Sequence, residues 1–172
     1  YRGIQENIPQ VQQFYADNFD INLDELKFNS HKIYSHTDND STIANSVGYG
    51  DNTEIFKVWG EDYPQYLRDY VEKFPIKVVN SNFQLQKPGN VIPPHHDNFK
   101  MIKEMGFDEK PYRILVCMSD WVFGQVIMIE DLVITNWKKG DAYIWDSEAL
   151  HMSANGSIGD KLTMIISGFY ED

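Results

Sequence analysis

The stretch RILVCMSDWVFGQVIMIEDLVITNW, residues 113–137, contains two apolar runs rich in β-forming residues, separated by short polar breaks. Short runs of this kind between turn signals are typical of strands in a packed sheet. Similar runs occur at residues 76–86, 142–146 and 161–170, and Pro88-Gly89-Asn90 provides one of the turns between them. About seven short strands without a helical pattern between them predict a mainly β fold, an antiparallel sandwich or barrel.

The chain before residue 76 has a different pattern. Apolar residues at helical spacing predict one helix within residues 6–19 and another within residues 62–74. We expect these N-terminal helices to pack on the outside of the β core. The whole chain is then a single domain, with a helical and loop part at 1–75 and a β-barrel core at 76–172.

A long polar segment, residues 35–53, is rich in Ser, Thr, Asn, Asp and Gly, which predicts a surface loop. Loops of this length in compact domains are often lids or binding loops. The segment is therefore a candidate substrate flap, and a loop without a role is the alternative.

The composition excludes several classes of partner. Acidic residues outnumber basic ones by 26 to 15, giving a formal net charge of −11. This excess argues against nucleic acid or an anionic membrane as a partner, because both require a concentrated basic surface. A small molecule or a peptide is the expected partner, and the oligomeric state stays open. The single Cys117 lies in an apolar run, which predicts a buried core residue. No signal peptide is visible, so a reducing, cytoplasmic compartment is expected, with a removed leader as the alternative.

The segment VIPPHHDNFK, residues 91–100, places two histidines and an aspartate directly after two prolines. On an extended segment, His95 and Asp97 point to the same side and His96 to the other. His151 follows a later predicted strand, and the sheets of a jelly-roll barrel can bring it to the same cavity. Two histidines and one carboxylate on one face are typical of the facial triad that holds Fe(II) in non-haem oxygenases. A second H-x-D, at residues 36–38, lies in the polar segment and is interpreted as a decoy.

Lys161 and Thr163 open the last predicted strand and share one of its faces. With the H-x-D motif, the distal His151 and this basic residue ten positions later, the chain resembles the Fe(II)/2-oxoglutarate-dependent dioxygenases. A lysine at this position resembles the prolyl 4-hydroxylase branch. The segment WKKGDAYIWDSEALHMSANGS, residues 137–157, is similar to the aspartyl/asparaginyl hydroxylase-like branch. The resemblance covers about residues 78–170.

The resemblance implies a double-stranded β-helix, a jelly-roll of the cupin-like kind, with His95, Asp97 and His151 as Fe(II) ligands and catalytic residues. It also implies that Lys161 binds the distal carboxylate of 2-oxoglutarate, with Thr163 beside it. The implied reaction uses O2, hydroxylates a C–H bond of an amino-acid, peptide or small-molecule substrate, and releases succinate and CO2. Some members of the second branch lack the carboxylate ligand, and its presence here favours hydroxylation over halogenation.

Three further residues are candidates for binding the cosubstrate. Arg113, at the start of a strand, either points into the cavity and binds a carboxylate of the cosubstrate or the substrate, or lies on the surface. Gln84 and Gln86 alternate with apolar residues, so they share one face of the first barrel strand. If that face is inward, they line the cosubstrate pocket, and an exposed polar face is the equal alternative.

Two other functions fit the same sequence. One is a metalloenzyme on a cupin barrel that does not use 2-oxoglutarate. Such sites usually add further histidines and a glutamate, and this chain has only His96 to spare near the motif. The other is a non-catalytic jelly-roll binding module, which has no reason to align His95, Asp97, His151 and Lys161.

Overall fold

The computed structural model describes residues 11–17, 20–32, 52–97, 99, 104, 106, 109–146 and 148–169. Over these residues the chain is mainly β, with one α-helix, α1 (Gln65–Val71). The strands are β1 (Val11–Tyr15), β2 (Asn29–Lys32), β3 (Glu54–Trp59), β4 (Lys77–Gln86), β5 (Val91–His95), β6 (Tyr112–Cys117), β7 (Gln125–Ile129), β8 (Leu132–Ile134), β9 (Asp141–Asp146), β10 (His151–Asn155) and β11 (Lys161–Phe169).

These strands form two antiparallel sheets, as the sequence predicts. The large sheet has seven strands in the order β1-β9-β6-β11-β4-β3-β2, and the small sheet has four in the order β5-β10-β7-β8. From β4 onward, every connection carries the chain from one sheet to the other, except the hairpin that joins β7 to β8. Apart from β2-β3-β4 and the β7–β8 hairpin, neighbouring strands in each sheet are therefore distant in sequence.

Each face of the large sheet carries a buried apolar cluster. On β11, Met164 and Ile166 belong to a cluster that includes Leu67 of α1, whereas Ile165 belongs to a cluster with Ile127 and other residues of the small sheet. This alternation follows from the two-residue period of a strand. Each fully buried side chain of this size contributes roughly 1.5–3 kcal/mol to stability. Odd-numbered positions of β11 near its start therefore face the small sheet.

The structure corrects the prediction of a helix within residues 6–19. Over its described part, Val11–Tyr15 form strand β1, which pairs antiparallel with β9. The apolar residues in this stretch fit a helical and a strand pattern about equally, and pairing with a neighbouring strand decides between them. Strands β2 and β3 also come from the N-terminal part, which is therefore not only helix and loop.

The second predicted helix, within residues 62–74, is confirmed in a shorter form. α1 buries Leu67, Tyr70 and Val71 against the outer face of the large sheet. Most of the candidate flap, including the second H-x-D motif, lies outside the described residues. No helix of the described residues is long and apolar enough to cross a membrane.

Candidate metal centre

The structure brings His95, Asp97 and His151 together at one end of the small sheet. His95 ends β5 and His151 begins the neighbouring β10, and the two are paired across the strands. Asp97 follows two residues after β5. β5 is an edge strand, so it tolerates Pro93 and Pro94, which lack backbone N–H donors. The pairing of β10 with β5 shifts just after His151, and such irregularities commonly orient side chains beside a site.

The ligating atoms of these three residues all lie within 4.8 Å of one another. His95 Nε2 is 3.9 Å from Asp97 Oδ1, and His151 Nε2 is 3.4 Å from Asp97 Oδ2. Adjacent ligand atoms of a small octahedral ion are separated by roughly 3 Å. The cluster is therefore close to the geometry in which one ion could contact all three side chains.

The backbone fixes the outward nitrogen of each imidazole. His95 Nδ1 lies 2.8 Å from Pro93 O, and His151 Nδ1 lies 3.0 Å from Ala149 O. A carbonyl oxygen only accepts, so each Nδ1–H donates and each Nε2 keeps its lone pair on the side of Asp97. Metal-binding histidines are commonly oriented in this way.

His151 is held in its neutral form. Burial lowers its pKa to about 4, the nearby carboxylate of Asp97 opposes the change, and His95 adds to it. The Trp145 ring, 5.3 Å away between centroids, contributes to this burial. At neutral pH the Nε2 lone pair of His151 is therefore available to a ligand.

Asp97 also contacts Arg113, the candidate at the start of β6. Arg113 Nε is 2.5 Å from Asp97 Oδ2, and the guanidinium lies 5.0 Å over the ring of Phe99. Neither of the two contacting atoms makes a directed hydrogen bond to another described residue, so the contact is an ion pair without hydrogen-bond alignment.

Lys161 lies inside the protein, on the inner face of β11, with 1% of its surface exposed. Its ammonium donates to Gln86 Oε1 and Val126 O, each at 3.3 Å, and to Ser153 Oγ. Burial lowers its pKa to about 7. Ser153 is two residues after His151 on β10, so the contact of Lys161 lies about 7 Å along the strand from the histidine.

The two glutamines face inward. Gln86 pairs with Lys161 across β4 and β11, donates to Asn90 O at 2.8 Å and accepts from Ser153. Gln84 pairs with the buried Thr163, and its Nε2 donates to Asn82 Oδ1 at 2.6 Å. The exposed-face alternative for these glutamines is therefore wrong.

His96 stays out of the cluster. It is exposed, and its Nδ1 is 2.8 Å from Glu148 O. As expected for an extended segment, its side chain points away from that of His95.

Sequence reasoning missed Lys57, on β3. Its pKa is lowered to about 8, mainly by burial and then by Arg113, with Asp97 acting in the opposite direction, which places Lys57 in the electrostatic surroundings of the centre. Its ammonium lies 5.3 Å over the Trp59 ring. The alternation of Ile55, Lys57 and Trp59 is the signal that could have identified an inward-facing cation, had this stretch been recognised as a strand.

No protein-family model matches the chain, and no curated protein matches it in sequence. Several solved structures do match the chain. The non-haem α-ketoglutarate-dependent epimerase SnoN from nogalamycin biosynthesis matches with a TM-score of 0.55 and 11% identity, over 71% of this chain and 64% of that one. The non-haem α-ketoglutarate-dependent carbocyclase SnoK from the same biosynthesis matches with a TM-score of 0.52 and 14% identity, over 69% and 65%.

A cupin barrel protein from Salinispora arenicola is more distant, with a TM-score of 0.42 and 12% identity over 70% of this chain and 78% of that one. At these identities the likeness to SnoN and SnoK is one of fold.

Proposed function

We propose that the protein is an Fe(II)- and 2-oxoglutarate-dependent oxygenase that hydroxylates a C–H bond of an amino-acid, peptide or small-molecule substrate. The observation that carries the proposal is the cluster of His95, Asp97 and His151, with both Nε2 lone pairs directed at the carboxylate. Its two-sheet architecture is proposed to be a double-stranded β-helix of the jelly-roll type. The fold likeness to SnoN and SnoK, whose names state α-ketoglutarate dependence, supports the proposal.

The donor set fits Fe(II). Two neutral imidazoles and one carboxylate leave three coordination positions open, which is the arrangement typical of non-haem Fe(II) oxygenases. The thiol of Cys117 is buried and belongs to the apolar cluster between the sheets, so it is not part of this set. When bound, Fe(II) would support the reaction of 2-oxoglutarate, O2 and a substrate C–H group to give succinate, CO2 and the hydroxylated product.

Lys161 would hold the distal carboxylate of 2-oxoglutarate. Its buried ammonium has no acidic partner among the described residues, so a bound carboxylate would supply the missing countercharge. Gln86 and Ser153 position the ammonium, and Thr163 offers a hydroxyl two residues further along the same face. Gln84 would line the same pocket.

For Arg113 we propose a role in orienting a metal ligand. Its contact to Asp97 Oδ2 would hold the carboxylate in a single orientation, so that one oxygen faces the metal position. Loss of a residue that orients a metal ligand commonly lowers metal affinity by about 10- to 100-fold.

A cupin metalloenzyme that does not use 2-oxoglutarate is the second candidate. It is favoured by one observation: all three N–H donors of Lys161 already have acceptors within the protein, as those of a purely structural lysine would. In that case the metal centre is the same and only the cosubstrate differs.

Anaerobic titration of Fe(II) and 2-oxoglutarate tests the proposal, because a chelated complex gives a weak visible charge-transfer band. We expect the band in the wild-type protein and in His96→Ala, the matched control at the exposed neighbouring histidine, and its absence in His151→Ala. Iron binding without a band in the wild-type protein would favour the cupin alternative. A lack of iron binding would contradict both candidates.

A further inference from the structure

One edge of β4 lacks a neighbouring strand over its first residues. β4 pairs with β11 from one end to the other, whereas its pairing with β3 on the opposite side covers only residues 82–85. β3 ends at Trp59, where the chain turns into a short 3-10 helix. Apart from the ladder with β11, the backbone of residues 78–80 makes no hydrogen bond to another described residue. An open strand edge of this kind is a template on which another extended chain can pair.

The open edge borders a cavity of about 710 Å³. Residues 78–81 line it, together with Trp59 at the end of β3 and with Arg68 and Val71 of α1. This volume is within the range of ligand sites in proteins. The cavity therefore lies against the part of β4 that has no neighbouring strand, and it gives a ligand access to the unpaired backbone groups.

The same part of β4 adjoins the metal centre. Asn80 pairs with Ser167 of β11, which in turn pairs with Arg113 of β6, the residue that contacts the carboxylate of the centre. Neighbouring strands lie about 4.8 Å apart, so Asn80 and Arg113 are separated by roughly 10 Å across the sheet. Val79 also packs against the cluster that contains Phe99, over which the Arg113 guanidinium lies. A chain added beside β4 would direct every second side chain to the face that carries the centre.

The charged side chains of the cavity indicate which kind of chain fits it. Its lining contains two carboxylates, Glu61 and Glu72, and one cation, Arg68, and all three are exposed. Arg68 donates to the backbone oxygen of Glu61 at 3.4 Å, and neither carboxylate pairs with another side chain of the described residues. Two unpaired carboxylates favour a ligand with positive charge, as does the formal net charge of −11.

We propose that the open edge of β4, residues 78–80, docks an extended, basic peptide segment, which pairs with β4 as an additional strand and presents one of its side chains to the metal centre. In this binding mode main-chain hydrogen bonds supply affinity and alternate side chains supply specificity. The docking site stands on strand pairing and on the cavity, whereas the role of the peptide as substrate rests on the proposed oxygenase function.

The test uses a capped heptapeptide of alternating valine and lysine, with two forms that are each N-methylated on every second amide. An edge strand pairs through only one of its two alternating sets of N–H groups, and the alternating side chains make these sets non-equivalent. Ligand-observed NMR titrations of the full-length, metal-free protein give the three affinities. We expect one methylated form to bind at least about tenfold more weakly than the parent peptide, and the other to bind nearly as well. Equal affinities of all three peptides, or no binding of the parent peptide, would overturn the docking site.

A charge reversal in the cavity places the bound peptide. Glu72→Lys should weaken binding of the valine–lysine peptide by about threefold or more, because an attraction becomes a repulsion. The matched control is Asp69→Lys, which makes the same change of charge at an exposed residue of α1 outside the cavity lining. Circular dichroism checks that both variants fold, and Glu61→Lys replaces Glu72→Lys if the latter does not. An equal loss in the cavity variant and the control would overturn the location.

Paramagnetic broadening by Mn(II) tests the role as substrate without requiring turnover. With Mn(II) bound at the metal centre, resonances of the docked peptide should broaden far more in the wild-type protein than in His151→Ala, in which the metal site is lost. Equal broadening in the two proteins, with Mn(II) bound to the wild type, would overturn the substrate role. If Mn(II) does not bind to the wild-type protein, the oxygenase proposal fails, and the metal-free titrations still decide the docking site.

Discussion

At the scale of single residues, the backbone carbonyls of Pro93 and Ala149 determine the chemistry of the centre. Each carbonyl oxygen accepts a hydrogen bond from the Nδ1–H of a histidine, so that the two Nε2 atoms face Asp97. The motif H-x-D and the distal histidine were visible in the sequence. The carbonyl partners were not, because they depend on local backbone geometry at Pro93-Pro94 and before His151.

Loss of His151 should strongly reduce metal affinity. Changes to residues that only orient a ligand cost 10- to 100-fold, so we expect loss of the ligand itself in His151→Ala to cost more than about 100-fold. His96→Ala should bind metal as the wild-type protein does, because His96 is exposed and its Nδ1 is hydrogen-bonded to the backbone carbonyl of Glu148. Metal analysis after dialysis against Fe(II) under anaerobic conditions measures both. Undiminished occupancy in His151→Ala would contradict the assignment.

Lys161→Met should weaken 2-oxoglutarate binding without changing metal affinity. A hydrogen bond to a charged group contributes about 1.5–3 kcal/mol, which corresponds to roughly 10- to 150-fold in affinity. The affinity of the wild-type protein should also fall as the pH rises above about 7, because Lys161 then loses its proton. Calorimetric titrations of the Zn(II)-loaded protein at several pH values measure both effects. Equal affinities in wild type and Lys161→Met would favour the cupin alternative.

The stability of the fold should depend on Lys161 in a defined pH window. Its pKa is lowered from 10.5 to about 7 by burial, so between these values the unfolded chain binds more protons than the folded one. The free energy of unfolding therefore rises with pH across this window, at up to about 1.4 kcal/mol per pH unit. Below about pH 7 Lys161 is charged in both states, and the destabilising contribution of its buried charge reaches its full size.

Comparison with Lys161→Met isolates this contribution, because the other titrating groups are common to both proteins. Urea unfolding at pH 6.5, 8 and 9.5 should show the wild-type protein gaining stability relative to the variant. A constant difference between the two across these pH values would mean that the Lys161 side chain is solvated rather than buried.

At the scale of secondary-structure elements, the strands from β4 onward could be predicted because their apolar runs are short and bounded by turns. The edge strand β1 could not, since Val11, Phe14 and Tyr15 fit a helical spacing as well as a strand. Its pairing with β9, more than a hundred residues away, decides the structure. Lys57 was missed for the same reason, because its role depends on β3 being a strand of the large sheet.

The close approach of β11 to β4 makes a prediction at Gly168. A Cβ at this position would overlap the carbonyl oxygen of Lys77 and would lie 2.8 Å from its carbonyl carbon. Backbone atoms cannot move aside as a flexible side chain can, so Gly168→Ala should destabilise the protein by about 1–3 kcal/mol or more. The control is Gly159→Ala, where the nearest atom is a Val122 methyl at 3.8 Å. Thermal unfolding of both variants measures the difference, and equal melting temperatures would contradict the register of β11.

At the scale of the whole molecule, the two sheets bring together side chains that lie far apart in the chain. Lys57, Gln86, Arg113, His151 and Lys161 come from five strands, β3, β4, β6, β10 and β11. Sequence patterns predicted an antiparallel two-sheet or barrel fold, but strand order depends on long-range pairing that local patterns do not encode.

The most direct test of the central claim is the position of the metal. Crystals grown without metal and soaked anaerobically with Fe(II) and 2-oxoglutarate should give one anomalous difference peak at the iron edge. We expect that peak within bonding distance of His95 Nε2, His151 Nε2 and a carboxylate oxygen of Asp97, with 2-oxoglutarate density reaching Lys161. A peak elsewhere, or no peak between these three side chains, would contradict the proposed oxygenase.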